Sequence, residues 1–443
     1  MSSGESVTAA SSQAVDPNDI KPPPLEKQIA EAIEQLAVGD FHSQWDYAKQ
    51  FSRQFAQWGD RIIPPLIYQL KTQQDPDTQW FLIRILSQFE HPTIVTALAQ
   101  LLVTTHSEEL QIEVSKALST LGESAIKTLS DLLATSVKEE QPGLDAPLDL
   151  QLDAQRILAA RTLAYIRRSA VIEPLLSIVD DPHPELRAIA IEALGSFHDA
   201  RITPVLLAAL KDKPPICIEA IRTLGRRRDL LAVTDLITPL TQCLLATDET
   251  VASESATALG RLGSEAAITA LGERLITPLS THVKVAIVRA LGWLNVASSV
   301  SYLANAFQSP MPEIMPVVKK EIARALGQTR EEALRAIAAA PLIEWIKASQ
   351  LIDPPKGDLS SSSETWLILQ AVLSSLARLG ATDAIDSVIP ILSHPDPRLR
   401  LHALNALKQI DPRTAQAQAQ NYLRQLHSSP VEKQYVAETL AAW

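Results

Sequence analysis

Ser255-Ala-Thr-Ala-Leu-Gly-Arg-Leu-Gly263 runs directly into Ser264-Glu-Ala-Ala-Ile-Thr-Ala-Leu271. The first half reads as the end of a helix closed by glycine, and the second opens a new helix with Ser264 as its N-cap. With Leu259 as reference, equivalents fall at Phe55, Leu86, Leu118, Leu163, Leu194, Leu224, Leu291, Leu326, Leu376, Leu407 and Leu440. Successive spacings lie between 30 and 35 residues, apart from two of 45 and 50. A self-similar helical period of this length marks an all-α chain, an α-solenoid or superhelical stack of about twelve helix pairs. In each unit an outer helix ends near the reference position and an inner, return helix follows. Pro184–Leu194 with Thr203–Leu210, and Pro397–Ile410 with Arg413–Leu426, are two such pairs.

Composition agrees with small helices packed by aliphatic side chains: 46% of the 443 residues are hydrophobic and only 5% aromatic. A net charge of −11 argues against nucleic-acid binding, which needs a positive field. No window approaches the length of apolar chain that spans a bilayer, so no integral membrane segment is expected. Cys217 and Cys243 have no metal-ligand spacing and sit in helical patterns, as buried small residues of a protein in a reducing compartment do.

The repeat also sets the organisation. Residues 1–24, rich in Ser, Ala and Pro, read as a disordered tail without a targeting signal. Residues 25–40, with Leu25, Ile29, Ile33 and Leu36 at helical spacing, read as an N-terminal capping helix. Residues 41–443 form the solenoid, with insertions at about 135–149 and 349–363 that account for the two long spacings. Nine of the 14 glycines stand one or four residues after the reference position. Those at +4 suit a left-handed helix end; those at +1 permit close helix approach at the turn.

Arg289-Ala290-Leu291-Gly292 and Arg324-Ala325-Leu326-Gly327 show the unit formula most plainly. This formula resembles the short HEAT repeats of the phycobilisome-lyase type, over nearly the whole chain from about residue 40. The resemblance implies an α-solenoid from a family that includes E/F-type bilin lyases, antenna-degradation factors, a di-iron deoxyhypusine hydroxylase and many scaffolds. The hydroxylase branch uses His-Glu dipeptides as iron ligands, and none of the nine histidines here precedes a glutamate. No metal site is therefore expected. Phosphate loops, zinc-protease motifs and nucleophile elbows are missing too, so no catalytic residue is assigned and no resident cofactor is expected.

Two uneven features remain as binding candidates. Ten of the aromatic residues fall within 41–90, and Trp45, Tyr68 and Trp80 are the ones not readily placed in a core. Arg226, Arg227 and Arg228 exceed what compensation of one helix dipole requires and suggest a local rim for an acidic partner. Basic residues two before the reference position (Arg84, Arg222 and Arg289 among them) and seven before it recur in register, as salt-bridge ladders between units do.

The expectation is a cytoplasmic, non-enzymatic scaffold or chaperone-like assembly factor, at most peripheral to photosynthetic membranes. Its partner is a folded protein, with a phycobiliprotein or another photosynthetic assembly component implied by the resemblance. The alternative is a bilin lyase or lyase subunit, for which an open-chain tetrapyrrole would be a transient ligand.

Overall fold

A computed structural model describes Lys27, Glu31 and residues 59–134, 146–227, 235–309, 314–350, 364–426 and 430–443. Its backbone contacts divide the chain into two compact units, Met1–Ala190 and Ile191–Trp443. The described residues contain 22 α-helices, joined by short turns and 3-10 segments and stacked in about eleven pairs.

In chain order the first helices are α1 (Ile63–Thr72), α2 (Pro76–Leu86), α3 (Pro92–Thr104), α4 (Glu108–Thr120), α5 (Glu123–Leu133), α6 (Ala146–Tyr165), α7 (Ile172–Leu176) and α8 (Pro184–Leu194). There follow α9 (Ile202–Ala209), α10 (Pro214–Arg226), α11 (Ile237–Cys243), α12 (Glu249–Leu262), α13 (Glu265–Leu275), α14 (Thr281–Leu294) and α15 (Ala297–Gln308). The last are α16 (Pro316–Leu326), α17 (Glu332–Gln350), α18 (Glu364–Leu379), α19 (Ile385–Val388), α20 (Pro397–Ile410), α21 (Pro412–Gln425) and α22 (Pro430–Ala441).

The reference leucines from Leu86 to Leu407 end the first helix of each pair and are buried without exception, forming the spine of the core. The first helices stack on one another as α2–α4–α6 in the N-terminal unit and as α10–α12–α14–α16–α18–α20 in the C-terminal one. The return helices α11, α13, α15, α17 and α19 form a parallel file beside the second of these. Each layer thus buries one aliphatic stripe against its partner and another against the next layer, which is why an isolated unit could not be stable.

The opening stretch folds as its sequence directs. Gly263 ends α12 in the left-handed region, at φ 63°, and its N–H closes on the Leu259 carbonyl. Ser264 caps α13, its hydroxyl accepting from the Ala267 N–H at 3.2 Å. Each of the other glycines at +4 (Gly59, Gly122 and Gly380) also has positive φ.

The glycines at +1 do something other than open the turn. They let consecutive first helices touch. A Cβ on Gly225 would stand 2.7 Å from the Cβ of Ala258, and one on Gly260 would stand 2.8 Å from that of Ala290. In both cases the neighbour is the residue just before the next reference leucine, so small residues at −1 and +1 hold the stack in register.

Charge supports the same register. Arg84 faces Glu113 at 3.7 Å, Arg222 holds Glu254 at 2.6 Å, and Arg289 holds Glu321 at 3.0 Å. Each pair joins a residue two before one reference leucine to a glutamate five before the next. Glu254 is the main cause that raises the Arg222 pKa. Arginines seven before the reference also turn back onto carbonyls that precede their own helix, and two of them form ion pairs further along the chain, Arg156 with Asp181 and Arg400 with Glu438. Arg156 Nε donates to Leu133 O at 3.0 Å, Arg187 Nη1 to Asp181 O at 2.7 Å, and Arg400 Nη1 to His394 O at 2.9 Å.

The tail at 1–24 lies outside the described residues, and within 25–40 only Lys27 and Glu31 are described. The expected insertions lie mostly outside the described residues. α6 already begins at Ala146, with Pro147 in its first turn where a missing N–H is harmless, and α17 continues to Gln350. The remainder of each, 135–145 and 351–363, is outside the described residues.

Candidate functional site

Of the six residues singled out from the sequence, four are described, two in each unit. Trp45 and Arg228 lie outside the described residues. Tyr68, on α1, is 65% exposed. Trp80, on α2, is half-buried, with its ring edge-on to Phe81 at 5.1 Å and the Arg84 guanidinium 4.7 Å above it. Phe81, Leu82, Ile83, Ile85 and Leu86 are the core residues of that helix, and Trp80 lies at the edge of their face.

Arg226 and Arg227 have opposite fates. Arg226 is the last residue of α10 and points to solvent. Arg227 leaves the helix with φ −90° and ψ 70° and turns inward, only 5% exposed, donating from Nη1 to Phe197 O at 2.9 Å. Its charge is occupied in joining one turn to the preceding unit's, so it does not contribute to an exposed rim.

A different surface emerges from the register. Position +2 after each reference leucine is exposed on six successive helices of the C-terminal unit: Arg226, Arg261, Trp293, Gln328, Arg378 and Gln409. The −1/+1 contacts fix neighbouring first helices side by side, so these residues follow one another at about 8–10 Å per step. Trp293 is 62% exposed, which is uncommon for so large an apolar ring without a partner. Arg226, Arg261 and Arg378 make no ion pair or hydrogen bond with a described residue, unlike Arg222 and Arg289 one turn earlier. Each also stands at or near a helix C-terminus, where its charge is favourable to the dipole yet still open to a ligand. Sequence reading missed this row because Trp293 and Arg261 look unremarkable singly. The signal was their shared offset from the reference position.

Among the described residues no group of three or more His, Cys, Asp and Glu is placed to hold a metal ion. No described helix is long and apolar enough to cross a membrane.

Comparison with known proteins fits this architecture. The HEAT repeats model matches residues 63–141, 151–219 and 358–441, just over half of the chain, and the PBS lyase HEAT-like repeat model matches residues 251–277. No curated protein matches the sequence. Among solved structures, Kap121p bound to Ste12p is 12% identical over 94% of this chain and 49% of its own, with a TM-score of 0.54. Kap121p bound to Pho4p is 14% identical over 94% of this chain and 45% of its own, with a TM-score of 0.50. The chain thus spans about half the length of these structures, and at such identity the likeness is one of fold. HEAT solenoids are typically scaffolds that bind other proteins. The buried leucine spine, the −1/+1 register and the matched repeats together place this chain in the HEAT-repeat family.

Proposed function

We propose that the chain is a non-catalytic scaffold that docks an acidic surface of a folded protein along the row Arg226, Arg261, Trp293 and Arg378. The observation that carries this reading is the presence of three exposed arginines, without an ion pair among the described residues, in register with an exposed tryptophan, on a chain whose net charge is −11. An acidic partner is repelled by the whole molecule at long range but attracted locally, because screening confines each charge to about 8–10 Å. Trp293 then supplies apolar contact area at the centre of a polar rim, the usual anatomy of a hot spot. Tyr68 and Trp80 are candidates for a second aromatic contact in the N-terminal unit.

The match at residues 251–277 supports a client among phycobiliproteins or other photosynthetic assembly components, in an assembly, repair or chaperone-like role. The same match supports a second reading, a bilin lyase or lyase subunit acting on such a client. Affinity capture from native cells, with mass spectrometry, compares the wild type with Arg226→Gln/Arg261→Gln and with Trp293→Ala. The scaffold reading expects both variants to lose the same acidic client while retaining their fold. An unchanged client set would overturn it. Co-expression with bilin and client separates the second reading, since only a lyase would add a covalent, visible absorbance band to the client.

A further inference from the structure

Cys217 and Cys243 are 26 residues apart in sequence, yet both line one cavity. Cys217 lies on α10 and is 4% exposed; Cys243, at the end of α11, is half-buried. The Cys217 thiol donates to Leu210 O at 3.1 Å. The cavity they share measures about 330 Å³, walled by Leu207, Pro239 and Val251 and bordered by Asp212 and Asp248. Core packing alone does not explain Cys217, since an apolar residue there would fill the space without that polar contact.

We propose that Cys217 and Cys243 form a redox-reversible dithiol site that reacts with a small peroxide, Cys243 attacking and Cys217 resolving, to leave a disulfide between α10 and α11. The cavity admits a molecule the size of hydrogen peroxide to Cys243, the more accessible sulfur. The two sulfurs are electrostatically unlike. The neighbouring Cys217 thiol lowers the Cys243 pKa against the opposing effect of burial. The Cys217 thiol is raised, first by the neighbouring Cys243, then by burial and by the charges of Asp212 and Asp248. Cys243, the more exposed sulfur, is therefore the better placed to attack, and the buried Cys217 to resolve.

In the first step the Cys243 thiolate attacks one peroxide oxygen. An S–O bond forms, the O–O bond breaks, and hydroxide leaves and is protonated to water. Sulfur loses two electrons to the peroxide and becomes a sulfenic acid. The negative charge that had disfavoured ionisation of Cys217 is then gone. In the second step Cys217 attacks the Cys243 sulfur: the S–S bond forms, the S–O bond breaks, and the hydroxyl leaves as water with the Cys217 proton. Overall, two thiols and one peroxide give one disulfide and two waters. Thiol–disulfide exchange with a reducing dithiol restores both thiols.

The test treats the purified full chain with hydrogen peroxide and counts thiols before and after. The expected result is loss of both thiols, a Cys217–Cys243 cross-linked peptide about 2 Da lighter than the two free peptides, and full recovery with dithiothreitol. In Cys217→Ser, Cys243 should stop at a sulfenic acid that dimedone traps; in Cys243→Ser, Cys217 should stay reduced at the same dose. Absence of the cross-link in the wild type, or oxidation of Cys217 in Cys243→Ser at the wild-type rate, overturns the proposal. Should either variant fail to fold, the wild type itself decides: iodoacetamide should label Cys243 at least about tenfold faster than Cys217. Equal rates contradict the assigned roles.

Discussion

Gly260 lies so close to the next first helix that a Cβ in its place would stand 2.8 Å from the Cβ and 3.1 Å from the Cα of Ala290. The obstacle is a backbone-anchored methyl group with nowhere to move. The HEAT stack therefore depends on a pair of small residues across each layer as well as on its buried leucines.

Gly260→Ala sets two effects against each other. Helix propensity favours alanine by about 1 kcal/mol. Overpacking against a fixed neighbour costs about 1–3 kcal/mol, and the close approach to Ala290 Cα places this site toward the upper end. The expected outcome is a net loss of about 1–2 kcal/mol in urea unfolding. Ala290→Gly on top of Gly260→Ala should recover part of the loss beyond additivity, because it removes the methyl group that is struck.

Arg226 and Arg227 are sequence neighbours with opposite expected phenotypes. Arg227→Ala removes a buried guanidinium and leaves Phe197 O without that donor, which should lower stability by about 1–3 kcal/mol. Arg226→Ala should stay within about 0.5 kcal/mol of wild type, as exposed substitutions generally do. Paired thermal melts check this, and equal losses would deny Arg227 its place in the turn.

His394 gives the C-terminal unit a pH dependence. Burial lowers its pKa below 6.5, the Arg400 cation acts in the same direction, and Asp396 opposes them. The neutral ring accepts at Nδ1 from the Asp396 N–H at 3.0 Å, helping to set the start of α20. Because the folded pKa is depressed, the folded state binds fewer protons than the unfolded state below pH 6.5. The stabilisation is present above that value and is lost as pH falls through the folded pKa. The urea midpoint should therefore drop between about pH 7.5 and 5.5, and His394→Asn, which retains an acceptor but cannot titrate, should flatten that part of the profile.

The inter-layer ion pairs should contribute little singly. Arg289 and Glu321 are 3.0 Å apart, but the Arg289 side chain is 60% exposed. A double-mutant cycle with Arg289→Ala and Glu321→Ala should give a coupling of about 0.2–1 kcal/mol that shrinks with added salt. A larger, salt-independent coupling would mean the pair organises the stack rather than decorating it.

Much of this architecture is legible in single residues. Gly263 followed by Ser264 states where one helix stops and the next begins, because a left-handed C-terminus and an N-cap are local requirements. The partner of Gly260 was hidden, since Ala290 comes from the next repeat and only stacking brings it near. Arg227 could not be told from Arg226, as one turn of backbone decides which guanidinium faces inward. Cys217 and Cys243 have no telling spacing because they reach one cavity only through α10 and α11 both packing on α12. The proposed docking row shares one offset from the reference leucine in the sequence, but only the stacked structure shows that Arg226, Arg261, Trp293 and Arg378 are all exposed.

The most direct measurement of the central claim is hydroxyl-radical footprinting of the captured complex against the free protein, read at Trp293. Trp293 is 62% exposed, so it should oxidise readily when the protein is free and become several-fold protected when the client is bound. Peptides carrying Arg226, Arg261 and Arg378 should gain protection with it. Unchanged oxidation of Trp293 in a saturated complex would contradict the assignment of this row as the docking surface.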